Sequence, residues 1–162
     1  MVANNVVPSV DFSGTYVSDT KRSEKLGPLF VALGVSGWKA KISDKLSSRY
    51  VYEQKEGTIR IIAKPSVGVG NDTTFTLDPD SFVKAVKQMD GSSADVAVFF
   101  SDEKTLTQVN KVVHRKDKNR EGTMTIHRTL EKDGDVTLLM QKFSVEMDGE
   151  EPLTATRVMR KE

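Results

Sequence analysis

Alternating apolar and polar residues predict that most of this chain forms β-strands. Residues 50–55 and 58–63 are two such segments, and Glu56 and Gly57 between them are a signal for a tight hairpin. Turn residues separate the strands at intervals of about 8–12 residues, which is typical of a sandwich or a barrel. Short connections between neighbours favour an antiparallel up-and-down meander. Further strands are predicted at 73–77, 95–100, 105–113, 123–132, 136–146 and 153–160.

One region near the N-terminus has helical spacing instead. Pro28 suits the first turn of a helix and Gly34 is a natural stop. Ser36 could then cap a second helix, so that residues 23–46 hold two short helices between the first two strands. The apolar residues of the first helix are Leu26, Leu29, Phe30 and Leu33, and those on one side of the second are Trp38, Ile42 and Leu46.

Residues 82–89 give conflicting signals. Helical spacing is weak evidence in so short a window, and strands are predicted before and after it. We therefore predict a strand here. The residues with helical spacing are Phe82, Ala85, Val86 and Met89.

Composition narrows the class of protein. A chain of 162 residues is one domain by the usual expectation. The net charge of +1 argues against nonspecific nucleic-acid binding, which needs a basic excess. The absence of cysteine excludes disulfides and thiolate sites. With neither a signal peptide nor an apolar run of about 20 residues, a cytoplasmic monomer is the expectation.

An enzyme is not expected. The chain has no Gly-x-Ser-x-Gly, no phosphate loop and no carboxylate cluster at metal spacing. His114 and His127 have the strand parity of outward-facing residues. No catalytic residue, metal or cofactor is therefore predicted; haem held by a histidine is the cofactor alternative, and a colourless purified protein would remove it.

Two arginines are the candidate chemistry. Arg128 and Arg157 lie in the middle of predicted strands, and their parity allows both to point into a barrel. A guanidinium matches a carboxylate bidentately, and a buried charge needs a counterpart. Since neither strand offers an obvious acidic partner, the counterpart would be an external anion. Parity alone leaves two solvated surface arginines equally open, because a one-residue bulge reverses direction.

Five short motifs occur in an order that resembles the intracellular lipid-binding proteins, the family of cytosolic fatty-acid-binding and retinoid-binding proteins. They are Phe12–Tyr16, Ala32–Ser36, Gln108–Lys111, Thr125–Arg128 and Thr156–Val158. The resemblance implies an all-β fold, a ten-stranded antiparallel up-and-down barrel of the calycin type capped by a helix-turn-helix lid. It also implies a water-filled interior that holds one or two lipids. Compared with the family, residues 1–11 are an N-terminal extension of the domain.

The resemblance assigns site residues too. It places Arg128 and Arg157 at the two positions that bind the ligand carboxylate, and Met159 where the family often has a tyrosine. Gln108 and Asn110 are implied inside the barrel, whereas their pattern alone also permits the outer wall. The candidates for the apolar lining are Ile126, Leu130, Met159, Leu29 and Phe30.

The function implied is non-covalent binding and intracellular transport of long-chain fatty acids or similar hydrophobic carboxylates. Alternatives are a retinoid carrier of the same fold and a degenerate barrel that binds a partner protein. A basic lid could also touch anionic membranes transiently. Its cationic residues are Lys21, Arg22, Lys25, Lys39, Lys41 and Lys45.

Overall fold

Ten strands and two short helices make up the computed structural model, which describes residues 6–162. The two helices follow the first strand, and hairpins account for the rest of the chain. In chain order the elements are β1 (Gly14–Asp19), α1 (Gly27–Ala32), α2 (Gly37–Ser43), β2 (Ser48–Lys55), β3 (Thr58–Pro65), β4 (Asn71–Thr76), β5 (Val83–Lys87), β6 (Ser93–Asp102), β7 (Thr105–Val113), β8 (Glu121–Asp133), β9 (Val136–Met147) and β10 (Leu153–Lys161).

All ten strands belong to one antiparallel sheet in the order β4-β3-β2-β1-β10-β9-β8-β7-β6-β5. Apart from β4 and β5, strands that are neighbours in the chain pair with each other, and β1 also pairs with β10. The edges β4 and β5 approach each other without a hydrogen-bonded ladder in the described part of the chain; an isolated bridge joins Leu77 to Val98 nearby. The predicted fold class, an up-and-down barrel with a helix-turn-helix lid, is confirmed.

The conflict at residues 82–89 is resolved in favour of a strand. Val83 and Val86 both pack against the core although they are three positions apart. Between them the register with β6 shifts, and Ala85 has a positive φ of 54°. A bulge adds one residue to the alternating period, which explains why a strand has the spacing of a helix.

The helices differ in how they meet the barrel. α1 buries Leu29, and Gly34, with φ of +88°, follows it. Trp38 and Ile42 do share one side of α2, but that side faces solvent, with 64% and 46% exposure. Ala40 is the buried residue of α2, and its small side chain lets the helix lie close to its neighbours. No helix within residues 6–162 has the length and apolar character needed to cross a membrane.

The predicted cap of α2 is wrong, and a contact between the two helices holds the lid together. Ser36 occupies the position before α2 but its side chain makes no capping hydrogen bond. Instead, the carboxylate of Asp44 accepts a hydrogen bond of 2.8 Å from the backbone N–H of Gly27. The end of α2 is thereby tied to the start of α1, and the lid holds together as one unit.

Residues 6–12 cross the end of the barrel opposite the lid. Ser9 donates its backbone N–H to the carbonyl of Glu103 in the β6–β7 turn. Gln54 accepts from the N–H of Phe12 and donates to the carbonyl of Val10. The Phe12 ring is fully buried, 6.0 Å from the ring of Phe100. Part of the predicted extension therefore plugs the barrel; residues 1–5 lie outside the described residues.

Candidate functional site

The lid half of the barrel encloses a cavity of about 350 Å³. The other half is filled by side chains, so the cavity has a floor part-way down the barrel. Five strands contribute these lining residues at or next to the floor: Tyr50, Gln108, Arg128, Gln141 and Arg157. The next inward residue on each strand, farther from the lid, belongs to the packed core: Tyr52, Leu106, Leu130, Leu139 and Met159.

Three polar side chains form a row across the floor. Arg128 on β8 lies directly opposite Gln141 on β9, and Gln141 lies directly opposite Arg157 on β10. Adjacent strands are about 4.8 Å apart, so the backbones of the two arginines are roughly 10 Å apart. All three side chains face the cavity. The floor therefore presents two cations separated by a neutral amide.

Arg128 is the more deeply buried cation, with 5% of the residue exposed. Its Nη2 donates to Oε1 of Gln108 at 2.8 Å. Its Nε and Nη1 are buried without a hydrogen-bond partner in residues 6–162. Burial of a charge is costly unless it is paired, which makes Arg128 a candidate for binding an anion.

Arg157 is half-buried and has only neutral partners. Its Nη2 donates to Oγ of Ser18 at 2.9 Å and to the carbonyl of Leu46 at 3.3 Å. Among the described residues, neither Arg157 nor Arg128 forms a salt bridge. The contact with Leu46 connects one end of the floor row to the segment that follows α2.

A chain of amides runs from the floor towards the lid along the cavity wall. Gln108, which accepts from Arg128, donates to Oδ1 of Asn110 at 2.8 Å. Asn110 in turn donates to Oε1 of Gln88, beyond β5, at 3.3 Å. Each amide both donates and accepts, so these buried polar groups satisfy one another. Gln108 and Asn110 thus face the cavity, as the resemblance implied.

Known proteins resemble this chain in structure and not in sequence. Neither protein-family models nor curated protein sequences give a match to the chain. Solved structures do. A fatty acid binding protein of Schistosoma mansoni in complex with arachidonic acid superposes with a TM-score of 0.68 at 20% identity, covering 93% of this chain and 96% of that one. The chain has the fold of the fatty-acid-binding proteins.

Two further structures share this fatty-acid-binding-protein fold. Apo lipid binding protein 8 of Caenorhabditis elegans gives a TM-score of 0.69 at 15% identity, with coverage of 96% and 99%. A fatty-acid-binding protein from brain tissue of Drosophila melanogaster gives 0.64 at 18%, with coverage of 94% and 100%. The fold is thus matched over nearly the whole chain, at sequence identities of 15–20%.

The predicted site residues fall into two groups in this fold. Those that line the cavity are Arg128, Arg157, Gln108, Asn110, Ile126 and Phe30. Leu29, Leu130 and Met159 are outside the lining: Leu29 packs beneath the lid, and the other two lie on the far side of the floor. Strand parity shows which side chains share a face, but it gives no information about which face is inward or about where along the barrel the cavity ends.

Sequence reasoning missed three polar residues at or next to the floor. Gln141 is the single amide in a row of inward apolar residues on β9, and that break in the pattern was a usable signal. Ser18 and Tyr52 come from strands that are distant in sequence, and nothing in their local pattern marks them. Their roles depend on which strands meet Arg128 and Arg157 across the barrel.

The histidines lie away from the cavity. His127 is exposed on the outer wall, where Nδ1 is 3.0 Å from Oγ1 of Thr107. His114 lies beside Gly34 in the lid junction, where its Nδ1 accepts from two backbone N–H groups. No group of three or more potential metal ligands occurs in residues 6–162.

Proposed function

We propose that this protein binds one long-chain fatty acid or a similar hydrophobic carboxylate without covalent chemistry, and carries it as a monomer. The observation that supports this most directly is Arg128, a buried cation at the floor of an apolar cavity with two nitrogens that lack partners in the described chain. The proposed cytoplasmic location stays a prediction from the sequence.

A carboxylate at the floor would supply Arg128 with a negative charge and with acceptors for its unpaired nitrogens. It offers several acceptor sites to a guanidinium fork, and the surrounding low dielectric strengthens the attraction. Gln108 holds one side of the guanidinium and leaves the remaining nitrogens for the ligand. Arg157, across Gln141, adds positive potential without competing for the same position.

The tail of the ligand would then extend towards the lid. Each methylene removed from water contributes about 0.8 kcal/mol, so a sixteen-carbon tail offers on the order of 10 kcal/mol before ordering costs. The tail therefore supplies most of the affinity, and the arginines supply orientation and selection for acids. The apolar wall above the floor is formed by Leu26, Phe30, Leu33, Ile61, Phe75, Ile126 and Phe143.

The test is displacement of a fluorescent fatty acid from delipidated protein. Oleate should compete strongly and its methyl ester at least tenfold more weakly, about the value of a charge-assisted hydrogen bond. Arg128→Gln should remove that preference. Arg60→Gln is the matched control, because Arg60 loses the same charge from the outer wall, where it pairs with Asp72. Equal binding of acid and ester by the parent protein would refute the proposal.

The same assay separates the alternatives. Retinoic acid that competes better than oleate, with the same dependence on Arg128, would favour a retinoid carrier. Retinol would not need the arginines, so its preferential binding would count against an anion site. A delipidated protein that binds none of these ligands would favour the barrel as a protein-interaction module.

We further propose that the lid is where the carrier contacts anionic membranes. Three apolar side chains on the lid are exposed, and lysines lie next to them on the same helix pair. Apolar groups beside cations suit a surface of anionic lipids. The exposed apolar residues are Val31, Trp38 and Ile42, and the exposed lysines nearby are Lys39, Lys41 and Lys45.

A further inference from the structure

We propose that Tyr52 is a ligand-binding residue whose buried hydroxyl joins Arg128 in holding the carboxylate. This inference rests on the proposed function, since it adds a contact to the same site. Tyr52 lies on β2 in the packed layer directly beneath the cavity floor, one inward position farther from the lid than Tyr50, and is 1% exposed. The guanidinium carbon of Arg128 is 5.8 Å from the centre of its ring.

The hydroxyl of Tyr52 is an unpaired polar group in the core. It has no hydrogen-bond partner within residues 6–162, and the same is true of Nε and Nη1 of Arg128. Unpaired buried donors are rare because each one loses its hydration without compensation. Two adjacent side chains with three such atoms indicate an acceptor that arrives from outside. An ionised carboxylate has two oxygens that accept hydrogen bonds and no donor, so it fits a group of three unpaired donors.

The protonation state of Tyr52 suits a donor. Burial raises the pKa of its hydroxyl, and the charge of Arg128, together with the approach of that guanidinium to the hydroxyl, offsets only part of the rise. The hydroxyl therefore keeps its proton near neutral pH. It would donate a hydrogen bond to a carboxylate oxygen. A methyl ester or an alcohol would be a poorer acceptor at the same place.

The neighbouring rings hold Tyr52 in position. Tyr16 meets it edge-to-face, with ring centroids 5.5 Å apart, and Tyr50 packs on it at 6.3 Å. The hydroxyl of Tyr16 is already used, because it donates to the carbonyl of Phe12 at 2.9 Å. Tyr52 thus has a fixed ring and a free hydroxyl, which lowers the entropy lost when a ligand binds.

Tyr16 and Tyr52 form a matched pair for mutagenesis in the full chain. Tyr52→Phe is expected to weaken oleate binding by about tenfold or more, the factor for a hydrogen bond to a charged group, and to leave methyl oleate binding unchanged. It should not lower the melting temperature of the delipidated protein, because it removes an unpaired group. Tyr16→Phe should do the opposite: lower the melting temperature and leave oleate affinity unchanged.

The outcomes distinguish this inference from the proposed function. Unchanged oleate affinity in Tyr52→Phe, with a loss in Arg128→Gln, would overturn the role of Tyr52 alone. Unchanged affinity in both variants and in Arg157→Gln would overturn the anion site as a whole.

A second measurement needs no variant at Tyr52. The chain has three tyrosines, so tyrosine labelled with ¹³C at Cζ gives three resolvable signals, and Tyr16→Phe and Tyr50→Phe assign them by elimination. Oleate should shift the Tyr52 signal and methyl oleate should not. A Tyr52 signal that oleate leaves in place would contradict the proposed contact.

Discussion

Gln141 donates its side-chain amide to the sulfur of Met159, with 3.1 Å between Nε2 and Sδ. Both residues are buried, with 2% and 0% exposure. A thioether is a weak acceptor, yet it pairs an amide N–H that would otherwise lie unpaired between Arg128 and Arg157. Met159 thus contributes to the site from beneath the floor, although it is not part of the cavity lining.

Replacing Met159 by leucine should therefore destabilise the protein. Leucine keeps the volume but removes the acceptor, and a buried amide left unpaired costs about 1 kcal/mol or more. For a chain of this size the melting temperature should fall by about 2–4 °C per kcal/mol. Met124→Leu, on the cavity wall at β8, is the control and should change it less. Equal effects of the two substitutions in calorimetry would show that the sulfur contact is not stabilising.

Gly34 should tolerate no side chain. Its φ is +88°, and an added Cβ would lie 2.6 Å from Cε1 of His114 and 2.9 Å from the backbone nitrogen of Arg115. That nitrogen donates to the carbonyl of Leu33, which attaches the lid to the loop after β7. Gly34→Ala should cost about 1–3 kcal/mol from the backbone alone, and the clash should add to this.

Gly57→Ala separates the two contributions at Gly34. Gly57 has a similar φ of +74° in the β2–β3 turn, and an added Cβ would meet nothing within 4 Å. Denaturant unfolding should show a clearly larger loss for the lid variant, and fluorescent-ligand release should also be faster in it. A loss no larger than that of Gly57→Ala would mean that the junction adapts to a methyl group.

Asp19 should make stability depend on pH under acidic conditions. Burial alone raises the pKa of its carboxyl, but hydrogen bonds and charge from Arg22, with the charge of Arg160, outweigh this and hold the pKa below its usual value. A lowered pKa in the folded state means that the ionised carboxylate stabilises the fold above about pH 4, and that this contribution disappears as the pH falls through the folded-state value.

Asp19→Asn tests that dependence. The variant should unfold at lower urea concentration than the parent at about pH 6, and the difference should narrow as the pH falls below about 4 and the carboxyl of the folded parent becomes protonated. Asp135→Asn, in the exposed β8–β9 turn, serves as the control. A gap between parent and Asp19→Asn that is constant from pH 6 to pH 3 would contradict the assignment.

Trp38 gives a direct signal for membrane contact, because it is the single tryptophan and is 64% exposed on α2. Vesicles that contain phosphatidylserine should shift its emission to shorter wavelength, and salt should reverse the shift. Combined Lys41→Glu and Lys45→Glu should weaken vesicle binding by at least about 1 kcal/mol for each lysine removed. Lys55→Glu, at the opposite end of the barrel, should not. Emission that stays unchanged with these vesicles would exclude the lid as the contact surface.

The sequence carried most of the information about the strands. Residues 105–113 were predicted with the bounds that the structure gives to β7, because the alternation there is regular and a turn precedes it. The bulge at Ala85 broke the alternation on β5, and only the surrounding strands indicated its true class. Local patterns therefore succeed where the backbone is regular.

Orientation of the second helix was beyond the sequence pattern. The apolar side with Trp38 and Ile42 is what periodicity detects, but the lid rests on Ala40 and on the link between Asp44 and Gly27. A seven-residue helix is too short for its apolar face to fix its orientation against the barrel. Contacts made by the connecting segments decide it.

The candidate site was predictable only in part, because its members belong to different strands. Arg128 and Arg157 stood out as charges within apolar strands. Tyr52 and Ser18 reach them through the closure of β2 and β1 onto β10, which no local pattern records. Residues that act together across a barrel become visible as a group only when the register of every intervening strand is known.

The plug formed by residues 6–12 closes the end of the barrel opposite the lid, so the cavity has an opening at the lid end alone within the described residues. With Phe12 wedged against Phe100 and Gln54 bonded to this segment, cargo cannot pass through that end. If the carboxylate of a ligand binds at Arg128, the ligand has to leave through the lid end, the same end by which it entered. In the carrier proposed here, the hydrocarbon tail of the ligand then emerges first, and it is the first part that a receiving membrane or protein can bind.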